Sequence, residues 1–318
     1  DLGFDGAELD SPGGIDKQEA FEASQKTGLP IHGVVDSTHW SVRLSDSKPE
    51  VREKGLQDLL TAIRESHQCG GSAVLLVAGH GKDGTHEEVS ARSIEQIRKA
   101  LPLAAKLGVR ILIENVWNQF CYQHDGPGDQ TADQLIAFID QANSPWVGSY
   151  FDIGNHRKYA TPSRWIRQLG RRIVKLDVKD FNHQTNTWAE IGEGTVDWDN
   201  VRAELAKIHY CGWATAEVGG GNDGVYYDAG LKRIFLTNGV SAIMNVFEQV
   251  DADAYRPVEA LGTHAGVRSL AMDPKSKKIY AVTAEGSADY ARKITTTVSP
   301  WYANTFFPNT FKVLIYSR

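Results

Sequence analysis

The chain has 318 residues, 41% of them hydrophobic and 23% charged, with a formal net charge of -6. That length holds one large α/β domain, or one domain with an appendage. The negative balance offers no basic surface to a nucleic-acid backbone. No apolar run approaches the roughly 18 to 20 residues of a membrane span, so neither nucleic acid nor membrane is an expected partner. Cys69, Cys121 and Cys211 are too scattered for a disulfide framework, and a reducing, cytoplasmic setting is expected. The opening Asp1-Leu2-Gly3-Phe4-Asp5-Gly6 reads as a helix end turning into a strand, as in a chain that begins mid-domain, so N-terminal targeting cannot be read from it.

From residue 1 to about 230, short apolar strands alternate with amphipathic helices, the pattern of βα units around a parallel sheet. The expected strands are Gly6 to Leu9, Ile31 to Val35, Ala73 to Val77, Arg110 to Ile113, Trp146 to Phe151, Ile173 to Val178 and Trp213 to Val218. Helices are expected over Val51 to His67, with Ser47 and Pro49 as start signals, and over Glu87 to Leu107. Seven strands, roughly 25 to 42 residues apart, suit a TIM-barrel-like (β/α) domain better than an open doubly wound sheet. No glycine-rich nucleotide loop is present. A barrel wants eight strands, and the first is the one expected to be missing.

Beyond residue 231 helical periodicity stops. Short β segments follow at Ile234 to Thr237, Ala242 to Phe247, Val267 to Met272, Lys278 to Thr283 and Phe311 to Tyr316. Gly266 to Pro274 with Lys278 to Thr283 resembles a blade of the YVTN-type β-propellers, and Phe235-Leu236-Thr237-Asn238-Gly239 resembles part of the preceding blade. A propeller needs about four or more blades to close, so residues 231–318 are expected to be a β-rich fragment with exposed edges, a site of association. It is expected either to repair the barrel, with Phe311 to Tyr316 in the vacant strand position, or to build a homodimer.

Four strands of the first segment end in a carboxylate: Glu114 after Arg110 to Ile113, Asp152 in Tyr150-Phe151-Asp152, Asp177 in Ile173 to Val178, and Glu217 in Trp213 to Val218. An unpaired carboxylate buried within such a strand is costly, which places these acids at the C-terminal ends, where barrel active sites lie. Four converging carboxylates cannot all ionise without a cation. Oxygen-rich ligation favours one divalent ion, manganese or magnesium, with zinc or cobalt as alternatives. Lys175 and Lys179 share a strand face with Asp177 and offer compensating charge. Glu8 ends its strand, and His32, His39, Trp40, His80, Trp117 and His156 lie just after strands as candidate pocket residues; for each of them packing is the competing reading. Gly219-Gly220-Gly221 reads as a flexible turn, with phosphate contact as the alternative.

On Gly3 to Leu9, Ile113-Glu114-Asn115, Phe151 to Asn155, Lys175 to Asp180, Gly192-Glu193-Gly194 through Trp198, and Gly212 to Glu217, residues 1–230 resemble the xylose-isomerase-like TIM barrels, which include sugar and sugar-phosphate isomerases and epimerases. The resemblance implies metal ligation by Glu114, Asp152, Asp177 and Glu217. Many epimerases of that family carry His at the position of Asp177 and at that of Asn155, so this chain departs at both. It further implies proton transfer next to a carbonyl through a metal-stabilised enediolate, with Glu114 and Glu217 as base and acid on a sugar or sugar phosphate. Two rival readings stand beside it: a metal-dependent phosphoester hydrolase, and a hybrid that has lost catalysis.

Overall fold

The computed structural model describes residues 4–189, 191–216, 222–239, 242–251, 254–264, 266–287 and 305–317. They fall into two compact units whose boundary lies between residues 217 and 218.

In the first unit the elements run β1 (Ala7–Ser11), α1 (Lys17–Thr27), β2 (Ile31–Asp36), α2 (Pro49–Gln68), β3 (Ala73–Leu76), α3 (His86–Leu107), β4 (Arg110–Glu114), α4 (Asp133–Gln141), β5 (Val147–Asp152), α5 (Pro162–Leu169), β6 (Ile173–Val178), a hairpin of β7 (Asp180–Asn182) and β8 (Thr187–Ala189), α6 (Trp198–Lys207) and β9 (Ala214–Ala216). The seven strands β1-β2-β3-β4-β5-β6-β9 form one parallel sheet in that order. This is a TIM-barrel-like sheet, nearly closed. Gly6 before β1 lies against the Trp213 ring beside β9, and the His32 ring stacks on Trp213 with centroids 4.6 Å apart.

Local chemistry explains the helices. Pro49 opens α2 at its first position, where a missing N–H costs nothing. Ser47 makes no cap there, because Lys48 takes that position without a side-chain bond. α3 starts on a reciprocal capping box between Thr85 and Glu88 and stops at Gly108, whose φ of 70° is left-handed. The helices bury Leu59, Ile63, Ile97, Phe138 and Trp165 against Ile111, Ile113 and Phe151 of the sheet. Fully burying each such side chain contributes about 1.5–3 kcal/mol.

Among its described residues the second unit is antiparallel. β10 (Asn222–Asp228), β11 (Arg233–Asn238), β12 (Ile243–Gln249) and β13 (Tyr255–Gly262) form a four-stranded meander. β14 (Ser269–Met272), β15 (Ile279–Thr283) and β18 (Lys312–Tyr316) form a second sheet, and β16 (Gly286–Ser287) pairs with β17 (Thr305–Phe306). Phe235, Met244 and Val246 of the meander pack with Met272 and Ile279 of the second sheet. The segment expected as a replacement barrel strand is thus β18. Its ladder runs along β15 instead, from Ile279 opposite Tyr316 to Thr283 opposite Lys312.

Candidate metal centre

Strand parity decides which side chains meet, because successive residues point to opposite faces. On β4, Ile111 and Ile113 face the helices, while Leu112 joins Ala73, Leu75 and Tyr150 in the barrel interior. Glu114 lies two residues beyond Leu112, on the same face, as the last residue of its strand. Tyr150 and Asp152 repeat this arrangement on β5, and Lys175 and Asp177 on β6. The register sets Glu114 beside Tyr150 and Asp152 beside Asp177. Glu114, Asp152 and Asp177 therefore converge, each with a carboxylate oxygen within 4.8 Å of the others. Asp152 and Asp177 are buried and Glu114 half-buried.

Three acids so close do not all ionise without positive charge. Lys179 supplies some, its Nζ lying 3.2 Å from Asp152 Oδ2. The set consists of carboxylates, without the His or Cys that zinc prefers. Its residues fit a hard divalent ion such as magnesium or manganese.

The loops after β4 and β5 lock this geometry. Asn115 accepts a hydrogen bond from the Asp152 N–H at 2.9 Å and donates to the Asp152 carbonyl at 2.8 Å. Its amide nitrogen also lies 3.2 Å from His156 Nδ1. Burial holds that imidazole neutral, its pKa lowered to about 3. The Asn155 N–H donates to Asp152 Oδ1 at 2.6 Å, and its side chain donates to Glu114 Oε1 at 3.1 Å. The Trp117 indole N–H donates to the Asn155 carbonyl. Gly154 follows Asp152 with φ -83° and ψ -39°, an ordinary conformation. Glycine is needed there for close approach rather than for a sharp turn, since a Cβ would lie 2.7 Å from the Lys179 carbonyl oxygen.

A model of the xylose isomerase-like TIM barrel family matches residues 1–236. The chain belongs to that family. Among curated relatives, L-ribulose-5-phosphate 3-epimerase UlaE of Salmonella paratyphi C is 25% identical over 193 residues, 60% of this chain and 65% of the relative. The match thus spans less than two thirds of that enzyme's length. Among solved structures, L-ribulose 3-epimerase superposes with a TM-score of 0.56 at 20% identity, covering 68% of this chain and 71% of the other. D-allulose 3-epimerase from Methylomonas sp. gives 0.55 at 22% identity, covering 68% and 74%. At these identities the likeness is one of fold.

The other expected site residues of this xylose isomerase-like barrel take four positions among the described residues. Glu8, His32 and Lys175 meet inside the barrel, where the Lys175 ammonium donates to His32 Nδ1 at 2.7 Å and lies 3.3 Å from Glu8 Oε1. Burial, then Lys175, lowers the His32 pKa to about 4, so its 3.8 Å approach to Glu8 is not an ion pair near neutral pH. His39 is buried with Nδ1 accepting from the Val77 N–H at 3.2 Å, and it anchors the loop after β2; Trp40 beside it is half exposed. His80 accepts from the Lys82 N–H at 3.1 Å and caps a short helical turn. Asn155, His156, Trp117 and Lys179 surround the carboxylates. Glu217 and Gly219 to Gly221 lie outside the described residues.

Sequence reasoning left Asn115, Asp180 and Trp188 out of the site. Asp180 accepts from the N–H groups of Phe181, Gly192, Gly194 and Val196 and from the Trp198 indole, and it gathers the loop after the hairpin into a cradle. A Cβ on Gly194 would collide with its carboxylate. The closely spaced Gly192 and Gly194 were the available signal.

Proposed function

We propose that the chain is a sugar or sugar-phosphate isomerase or epimerase that uses a divalent ion, manganese or magnesium, and moves a proton at the carbon next to a carbonyl. The observation that carries this reading is the convergence of Glu114, Asp152 and Asp177 at the C-terminal ends of three consecutive barrel strands. The epimerase names of its relatives support the substrate class. Glu114, Asp152 and Asp177 would hold the ion, with Glu217 as a fourth ligand on sequence grounds. When bound, it would supply Lewis-acid polarisation of the carbonyl. Glu114 would take the proton, its carboxyl oriented by the Asn155 amide. Glu217 is assigned its return on sequence grounds alone. Asn115 fixes Asp152 through the backbone at both ends of that residue.

The test incubates the chelator-treated full chain with ketoses and ketose phosphates in D₂O, with and without Mn²⁺, and follows exchange by proton NMR. Ion-dependent deuterium entry next to the carbonyl is expected. Glu114→Gln and Glu217→Gln should each reduce it by about 10² to 10⁴ fold, the usual contribution of a positioned acid or base. No exchange with any sugar, despite ion binding, overturns the reading. Phosphate release that survives both substitutions would point to hydrolysis.

A further inference from the structure

We propose that Lys179 is a built-in placeholder for the divalent ion, and that its displacement is transmitted to the Trp188 ring on the β7–β8 hairpin. This rests on the metal reading above and adds to it how the carboxylates are balanced before an ion binds and how ion binding is sensed.

The geometry begins at Asp152. Oδ1 accepts the Asn155 N–H at 2.6 Å, so Oδ2 is the oxygen presented to a cation, and Lys179 Nζ stands 3.2 Å from it. The same ammonium lies 3.4 Å from Asn155 Oδ1 and 4.9 Å from the centroid of the Trp188 ring. One flexible side chain therefore bridges a buried carboxylate and an indole that is 42% exposed. An arriving divalent ion competes for Oδ2, and its two charges repel the ammonium. The Lys179 main chain is held against Gly154, so the side chain is the part that swings. The ammonium already lies 4.9 Å from the Trp188 ring centroid, where a cation on the ring face interacts with the π-system.

The hairpin is built to register such a change. Trp188 stacks on Trp117 with centroids 5.2 Å apart and 25° between planes, and it meets Phe181 edge-on at 5.2 Å. Trp117 returns to the centre through its bond to the Asn155 carbonyl. Two connections thus join the carboxylates to Trp188, one through Lys179 and one through Asn155 and Trp117. Only the first carries a charge that an incoming ion must move.

The experiment titrates the chelator-treated full chain with Mg²⁺, which is diamagnetic, and follows tryptophan emission beside calorimetry. The wild type should show a saturable emission change whose midpoint matches the calorimetric one, and Trp188→Phe should bind Mg²⁺ without that change. Lys179→Met should lose the change and bind Mg²⁺ about tenfold or more tightly, since a charge-assisted competitor has been removed. Lys179→Gln, which keeps polarity, should do the same if the Met variant folds poorly. Weaker or unaltered Mg²⁺ binding in a folded Lys179 variant overturns the placeholder, as does wild-type binding with no emission change that depends on Trp188. Absence of calorimetric binding in the wild type overturns the metal reading together with this one.

Discussion

Lys175 of β6 reaches Glu8 of β1, its ammonium 3.3 Å from Oε1, and it donates as well to the His32 carbonyl at 2.8 Å. Both side chains are buried, at 3% and 7% exposure. The Tyr150 hydroxyl donates to the other Glu8 oxygen at 2.9 Å and sits 2.5 Å from Thr215 Oγ1 on β9. The two edge strands of the sheet, β1 and β9, are thereby joined by side chains across the barrel interior.

Breaking that pair on one side leaves a buried charge alone. Lys175→Met should destabilise the chain by about 3–5 kcal/mol in urea unfolding, the usual cost of an orphaned partner. Glu8→Gln with Lys175→Met removes both charges and should recover most of the loss. A double variant as unstable as the single one would show that packing, not charge, is what Lys175 contributes.

Asn115 is expected to act through Asp152. Asn115→Ala strips partners from a buried N–H and a buried carbonyl, each worth about 1–3 kcal/mol when left unsatisfied. Ion affinity should fall by about 10 to 100 fold, the range for residues that orient a ligand. Isothermal titration with Mg²⁺ measures the second effect, and denaturant unfolding the first.

The carboxylate centre was legible because strand parity and strand ends are written in the sequence. Apolar runs that close on Glu114, Asp152 and Asp177 give both the face and the height of each acid. The network around Glu8, Lys175 and Tyr150 was not legible, since it joins residues far apart in sequence through the barrel interior, and nothing local to Tyr150 distinguishes it from a core aromatic. His39 and His156 followed strands as pocket residues often do, and what the sequence did not show is their burial, which holds both neutral with pKa values lowered to about 3. The hairpin bearing Trp188 was hidden for another reason. Its strands are three residues each, too short for alternation to show.

Asp36 gives a pH signature of opposite sign to those histidines. It ends β2 buried, and burial, reinforced by Asp58, raises its pKa to about 7 against the hydrogen bonds of Thr38 and the charge of Lys54. The Thr38 hydroxyl lies 3.1 Å from Asp36 Oδ1 and 3.0 Å from Asp58 Oδ2, and its single proton serves one of them. A proton on Asp36 completes the chain. The folded state therefore holds this proton more tightly than the unfolded state, so its contribution to stability falls as pH rises from about 4 to about 7. The full span is roughly 4 kcal/mol. The histidines act the other way, since their lowered pKa values cost stability as pH falls below about 6.5. Asp36→Asn should remove the first slope alone, read as the difference between two urea-unfolding series from pH 4.5 to 8. Parallel series would rule out a raised Asp36 pKa.

Asp180 and Gly194 should fail together. Asp180→Ala frees the backbone N–H groups of the 191–196 loop and the Trp198 indole at one stroke, and Gly194→Ala pushes the same carboxylate out of its cradle. Each should cost about 2–4 kcal/mol, as expected when several bonds to one charged acceptor are lost. Limited proteolysis should cut between residues 183 and 196 in both variants before the rest of the barrel is touched. Asp180→Asn keeps one acceptor oxygen and should lie between them and the wild type.

The choice of ion is the last consequence of an all-carboxylate centre. Asp177 contributes a hard oxygen and a negative charge at a buried position. Asp177→His would replace both with a neutral, softer nitrogen and lower the charge that the site must balance. On the proposed reading the variant keeps an ion but changes its preference. Mg²⁺ and Mn²⁺ binding should weaken by about tenfold or more, while Zn²⁺ or Co²⁺ is held as tightly or more so, following the usual order of nitrogen sites. Competition titrations of the chelator-treated wild type and variant, with each ion in turn, read this directly. An unchanged order of affinities would mean that Asp177 is not a ligand, and would leave Glu114 and Asp152 to hold the ion with groups from beyond β6.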